Sequence, residues 1–350
     1  MKPPPKLANL QVLRFAAAAL VLVYHVAGHY QAAHGALDVR WMNHVGFFGV
    51  DVFFVISGFV MWYTAHAKSG AADAFAFIAR RARRIFTGYL PVLAFLAVFY
   101  FALDGARFSA VDWVSSLTLW PILPPGRAIA VSWSLSFEML FYLAFSISIW
   151  TGRLPLALAG FLAALTIGVI AGVNNPAAPY PMRYFFGMHC YEFAFGVVLA
   201  AALRHHEVRA PWAWIALGVA GAAASGYLRA TYPVAFLPDA GRIATFGLAA
   251  AAIVHGVVGL ERSVKPPAAL TLLGDASYAL YLLHMPVMYL LLAKFPPGAF
   301  FAAHLEAREV FVCAVSVAAS VAYFKWVERP LLAIRFVSTR NAAMSATPAA

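Results

Sequence analysis

Charge is what this chain has least of. Only 11% of its 350 residues are Asp, Glu, Lys or Arg, and 14 acids stand against 25 basic residues. Soluble domains carry about a quarter charged residues, so a chain this poor in charge and 63% hydrophobic cannot cover itself with a water-compatible surface. Polar, mixed-charge stretches long enough to fold as a separate aqueous domain are missing. Cysteine is nearly absent too: Cys190 and Cys313 each lie inside an apolar run, which excludes a disulfide framework. There is no phosphate loop, because Gly49 to Gly58 carries no following Lys-Ser/Thr pair. A net charge of +11 would suggest nucleic acid in a soluble protein. Here the basic residues fall mostly in short joints between apolar runs, the pattern of membrane topogenesis, and no nucleic-acid partner is expected.

What the chain does have is long apolar runs. They recur at about 7–29, 46–66, 86–103, 130–151, 154–173, 184–204, 211–229, 240–260, 274–294 and 308–328. Each is long enough to cross a bilayer as a helix of about 20 residues. The expected fold is all-α integral membrane, with about ten transmembrane helices in one bundle over residues 1–338 and a disordered tail over 339–350. The first run is too long for the core of a cleaved leader and carries Arg14 and His25, so it reads as a span. Basic residues are about twice as numerous on the side that holds Lys2, Arg80, Arg81, Arg83, Arg84 and Arg335. Both termini therefore read as cytoplasmic, which an even number of spans requires.

Ionisable residues inside these runs are costly and mark candidate functional sites. Arg14 and His25 are eleven residues apart, so they share one helix face about 16 Å apart along the axis. Alternatively, Arg14 snorkels to the headgroups and His25 bonds a neighbouring helix. Asp51 lies among Gly46, Gly49 and Gly58, which fits either a packing seam or a carboxylate that orients a base or holds an acceptor. Arg80, Arg81, Arg83 and Arg84 read as a loop before the third span. They suit anionic lipid, and Arg81 and Arg84 at i and i+3 equally suit bidentate phosphate contacts. Ser134, Glu138 and Tyr142 share a face, as Ser277, Tyr281 and His284 nearly do. Glu328 and Arg329 read as a local ion pair at a helix end. His25 and His29 are spaced like helical metal ligands, but no companion set completes a site and no metal is expected.

Taken in order, these elements resemble the acyltransferase family 3 membrane proteins, which O-acylate sugars and other acceptors. The matching elements are Arg14 with His25, Gly49-Val50-Asp51 through Ser57-Gly58-Phe59, Arg80-Arg81 through Arg84-Ile85, Ser132-Trp133-Ser134-Leu135 through Glu138 and Phe141-Tyr142, Ser277-Tyr278 through His284, and Val327-Glu328-Arg329-Pro330. Thr87 stands where the family usually has proline. Asn9-Leu10-Gln11 and Phe53-Phe54-Val55-Ile56-Ser57-Gly58 look most like the branch that acetylates exopolysaccharides.

The resemblance implies a multi-pass protein of the bacterial cytoplasmic (inner) membrane, surrounded by membrane lipid. Its donor substrate would be acyl-CoA, most often acetyl-CoA, with the phosphates at Arg14, Arg81 and Arg84. His25 would be the general base or acyl carrier, with Glu138 or Asp51 holding its tautomer. Ser57, Ser134, Tyr281 and His284 would contact substrate, and the acceptor would be a glycan or lipid-linked glycan. The rival reading of the same buried charges is a proton-coupled transporter of a sugar or organic anion, against which stands the lack of an inverted repeat.

Overall fold

A computed structural model describes residues 7–34, 40–120, 126–173, 182, 187–232, 240–294, 298, 301 and 304–334. Among them the chain is helical throughout, without a strand. The main helices are α1 (Ala8–His34), α2 (Arg40–Val45), α3 (Phe48–Ala65), α4 (Ala71–Leu103), α5 (Gly105–Ala110), α6 (Trp113–Thr118), α7 (Trp133–Trp150) and α8 (Leu154–Ile170). There follow α9 (Cys190–Ala202), α10 (Pro211–Thr231), α11 (Leu248–Gly259), α12 (Ala268–Asp275), α13 (Ser277–Tyr289), α14 (Leu305–Tyr323) and α15 (Arg329–Ala333). Wider π turns precede α11 at Ile243–Gly247 and follow α14 at Phe324–Glu328.

Each of the ten expected apolar runs contains a helix. Six helical segments are long and apolar enough to cross a membrane: Ala8–His29, Trp41–Ala65, Ala71–Leu103, Ala130–Trp150, Ala240–Arg262 and Leu305–Ala333. Leu154–Ile170, Cys190–Ala202 and Ser277–Leu292 are apolar but shorter. The faces that carry Phe95, Val98, Phe101, Ile167, Ile170 and Val198 are exposed. In water they would be costly, and in lipid they are the surface the solvent demands. The expected tail 339–350 lies outside the described residues, as do the chain ends used in the orientation argument.

The arginine cluster requires a correction. It does not sit in a loop: α4 begins at Ala71 and runs 33 residues unbroken through Arg80–Arg84, Thr87 and Pro91. The segment before Ile85 is rich in Ala and Arg, both strong helix formers, so the helix starts well before its apolar stretch.

α1 is the axis of the bundle, packed against α3, α11, α12, α13 and α14. Its first turn is held from a distant segment. Glu261 Oε1 accepts the Leu10 backbone N–H at 2.9 Å, and Asn9 Nδ2 donates to the Val264 carbonyl at 2.8 Å. Such bonds satisfy backbone and side-chain groups that a helix start leaves open. α3 packs most closely on α9. There Gly58 meets the backbone of Phe193, and Gly196 meets the backbone of Val55 and Phe59, approaches that a Cβ would block. Small residues at such seams let helix backbones touch where lipid offers no hydrophobic drive to association.

Candidate active site

α1, α3, α4, α7 and α13 enclose a cavity of about 380 Å³. Its wall carries Gln11 and Arg14 from α1, Ser57 and Thr64 from α3, and Arg81 and Arg84 from α4. α7 adds Ser134, Glu138 and Tyr142, and α13 adds Tyr278 and Tyr281. These residues are far apart in sequence and all polar, in walls otherwise apolar, as ligand pockets are built.

One end of the cavity is cationic. The Arg14 Nη1 donates to Gln11 Oε1 at 3.0 Å, one turn back on α1. Arg81 donates to Thr64 Oγ1 at 3.2 Å, and its guanidinium lies over the rings of Phe77 and Tyr142, each 5.6 Å from the ring centre. Arg84 makes no hydrogen bond or ion pair among the described residues. Two oriented guanidiniums and a third with no hydrogen-bonded partner form a cradle suited to phosphate oxygens.

The middle is polar and neutral in its donors. Glu138 Oε1 accepts from Ser57 Oγ at 2.9 Å and from the Tyr142 hydroxyl. Ser134 Oγ and the Tyr281 hydroxyl meet at 2.8 Å, and both reach the Val131 carbonyl, at 3.1 and 3.0 Å. The i, i+4 face expected for α7 is therefore real and faces the cavity.

Beyond Phe53 and Tyr281, whose ring centres are 5.8 Å apart, lies a histidine pair. The ring of Tyr281 is 5.9 Å from that of His284, which is 5.0 Å from that of His25. His284 is fully buried, and its Nδ1 meets the Leu280 carbonyl at 3.0 Å. A carbonyl only accepts, so His284 Nδ1 carries the proton and a neutral His284 has an accepting Nε2. That Nε2 lies 3.2 Å from His25 Nδ1, which also meets the Val21 carbonyl at 2.9 Å. Both acceptors therefore fix the proton on His25 Nδ1 and leave its Nε2 with a lone pair. The assignment is read from the hydrogen-bond pattern, as tautomers must be.

Two expectations change here. Neither Glu138 nor Asp51 touches His25; the group that holds its tautomer is His284. Neither histidine lines the cavity, and of the two it is His284 whose ring meets the wall, at Tyr281. Asp51 lies elsewhere, fully buried, with both carboxylate oxygens bonded by Arg242, to Nε at 2.8 Å and Nη2 at 2.9 Å. Beside it His189 Nδ1 meets Glu192 Oε2 at 3.2 Å. Asp51, His189 and Glu192 are the ligating trio found together among the described residues, within 4.8 Å of one another. Arg242 already supplies a cation there, so the donor set suits an ion-pair cluster better than a metal.

Sequence reasoning missed Arg242, His189 and Glu192, and it named Tyr278 in a motif without giving it a place in the cavity wall. An arginine at the start of an apolar run, as Arg242 is, signals a buried acid partner.

Residues 7–326 match the family described as an acyltransferase domain. The chain is 30% identical over 318 residues to the "Exopolysaccharide production protein ExoZ" of Rhizobium meliloti (strain 1021), an alignment covering 82% of this chain and 90% of that one. It is 29% identical over 320 residues to "Acyltransferase MdmB" of Streptomyces mycarofaciens, covering 81% and 80% respectively. No solved structure matches.

Proposed function

This chain belongs to acyltransferase family 3 and is a membrane O-acyltransferase, and from that premise we propose that it moves an acetyl group from acyl-CoA to a hydroxyl of a polysaccharide or its lipid-linked precursor. The acceptor class follows the printed name of the Rhizobium relative, a protein of exopolysaccharide production. The observation that carries the reading is the order of groups along one cavity: guanidiniums at one end, Glu138 with a set of hydroxyls between, and an oriented histidine base just past the other.

In this reading the CoA phosphates lie against Arg14, Arg81 and Arg84, and the pantetheine arm runs past Ser57, Glu138, Ser134 and Tyr281. The distance of about 16 Å between Arg14 and His25 suits that arm. The acceptor hydroxyl gives its proton to His25 Nε2 as its oxygen bonds the acyl carbon. The C–S bond breaks, and the proton passes from the imidazolium to the leaving thiolate, giving acylated sugar and CoA. His284 keeps the correct nitrogen unprotonated. The bundle has ten spans with both termini cytoplasmic in the bacterial inner membrane, so the donor arrives from the cytoplasm at the arginine end.

The test uses purified protein in lipid nanodiscs with radiolabelled acetyl-CoA and lipid-linked glycan. Acceptor-dependent label transfer with CoA release supports the enzyme reading. In reconstituted vesicles, label that crosses the bilayer with its thioester intact would instead support the transporter. Loss of acetyl esters from surface polysaccharide on gene deletion would identify the acceptor class.

A further inference from the structure

The last long helix ends in an irregular turn that the transfer reading does not use. α14 gives way at Tyr323 to the π turn Phe324–Glu328, a type of distortion that often accompanies a functional position. Glu328 is the buried residue of this turn, 1% exposed. It does not pair with Arg329, as adjacency in sequence suggested, and its Oε2 has no hydrogen-bond partner among the described residues. The carboxylate is pressed against α4. A Cβ on Gly88 would lie 3.4 Å from the Glu328 carboxyl carbon and 2.7 Å from the Tyr278 ring, so only glycine leaves room there. Tyr323 fixes the same spot by donating to the Gly88 carbonyl at 2.6 Å, and Tyr278 donates to the Ile85 carbonyl at 2.8 Å.

Gly88 is one helical turn beyond Arg84 on the same face of α4. The carboxylate therefore stands behind the cationic end of the cavity, within the field of Arg84 and Arg14, with Asp275 as the other acid acting on it. A buried carboxylate with no hydrogen bond on one oxygen is costly unless cations compensate it. Arg84 and Arg14 are the groups placed to do so, and they are also the groups that face an incoming phosphate.

We propose that Glu328 is a built-in counter-anion of the donor site, which limits how tightly the CoA phosphates are held and so sets the rate at which product CoA leaves. The inference rests on the reading of Arg14, Arg81 and Arg84 as the donor cradle. An anion that shares these cations weakens each phosphate contact, and the field at such a site is only partly screened. Slow product release then appears in kcat although the chemical step is untouched.

The experiment measures binding of radiolabelled CoA, product inhibition by CoA, and single-turnover transfer, with the full chain in nanodiscs. Glu328→Gln should bind CoA about tenfold tighter, with KM for acetyl-CoA and kcat falling together and the single-turnover rate unchanged. The tightening should shrink as salt rises from about 50 to about 500 mM. Glu328→Asp keeps the charge and should keep near-wild-type CoA affinity even where it loosens packing. If Gln is poorly tolerated, Glu328→Met has similar volume, is neutral and carries the same expectation. Unchanged or weaker CoA binding in a folded neutral variant would overturn the proposal, as would an Asp variant that behaves like Gln. Wild-type protein that binds no CoA would overturn the donor reading and this inference with it, a result separate from any change in the variants.

Discussion

The histidine pair makes a ranked prediction in which magnitude separates two roles. His25→Gln keeps a side chain that can hydrogen-bond but cannot take the acceptor proton at neutral pH. It should lower transfer by at least about 10²-fold, the lower end for a general base. His284→Phe keeps an aromatic ring in the buried site but removes the Nε2 acceptor 3.2 Å from His25 Nδ1. The Val21 carbonyl still faces that Nδ1 at 2.9 Å, so the tautomer survives and only one orienting hydrogen bond is lost. One such bond is worth about 0.5–1.5 kcal/mol, which converts to a loss of about two- to tenfold. The double variant should be no worse than His25→Gln, because an absent base cannot be misoriented. Each variant is assayed for transfer from radiolabelled acetyl-CoA and for melting temperature. An active, stable His25→Gln protein refutes the base. A His284→Phe protein as inactive as His25→Gln would mean that His284 itself handles the proton.

Further outcomes can be checked independently. Changing Arg81 and Arg84 together to Gln should raise the KM for acyl-CoA about tenfold or more, since two charge-assisted contacts of ~1.5–3 kcal/mol are lost; unchanged donor kinetics would return the cluster to lipid binding. Arg242→Gln strips a fully buried Asp51 of both its bonds beside Glu192, a change of the kind that costs about 3–5 kcal/mol, so the melting temperature should fall sharply. Loss of transfer without any loss of stability would show that the pair serves chemistry. Reporter fusions should place residue 75 and the C-terminus in the cytoplasm and residues 38 and 112 outside, and an external signal at residue 75 would reverse the donor side.

What the sequence made legible depends on whether a feature is local. The apolar runs appear as helices, and the Ser134, Glu138 and Tyr142 face appears as a cavity wall, because both follow from the spacing along a single helix. Pairings between helices do not follow from spacing. Glu138 bonds Ser57 across 81 residues, Asp51 bonds Arg242 across 191 and His25 bonds His284 across 259. His25 and His284 each stand out in the sequence, yet spacing does not pair them, and a carboxylate is the expected partner of His25 because carboxylates commonly orient histidines. Glu328 and Arg329 do not pair for a stereochemical reason: residues i and i+1 on a helix point about 100° apart, so Glu328 turns inward while its neighbour Arg329 does not share that face. The arginine cluster reads as a loop because its helix begins in charged sequence, well before the apolar run that marks a span.

The buried acids can now be sorted by what they touch, and this gives the last prediction. Asp51 is consumed by Arg242, and Glu328 lies behind the cavity wall. Among the described residues that line the cavity, Glu138 is the one acid. It accepts from two neutral hydroxyls, those of Ser57 and Tyr142, and has no contact with His25. In the proposed reading such a carboxylate fixes the wall along which the donor arm would lie, and the proton transfer would not pass through it. A Gln at this position keeps one oxygen that can accept from both hydroxyls. Glu138→Gln should therefore melt near wild type and lose less than about tenfold in transfer, roughly the scale of one weakened hydrogen bond. Glu138→Ala orphans both hydroxyls at about 1–3 kcal/mol each and should lose stability and donor affinity together. Parallel melting and transfer assays decide the matter: a stable Glu138→Gln protein as inactive as His25→Gln would show that this carboxylate carries a proton in the reaction, and the assignment to the wall would fall.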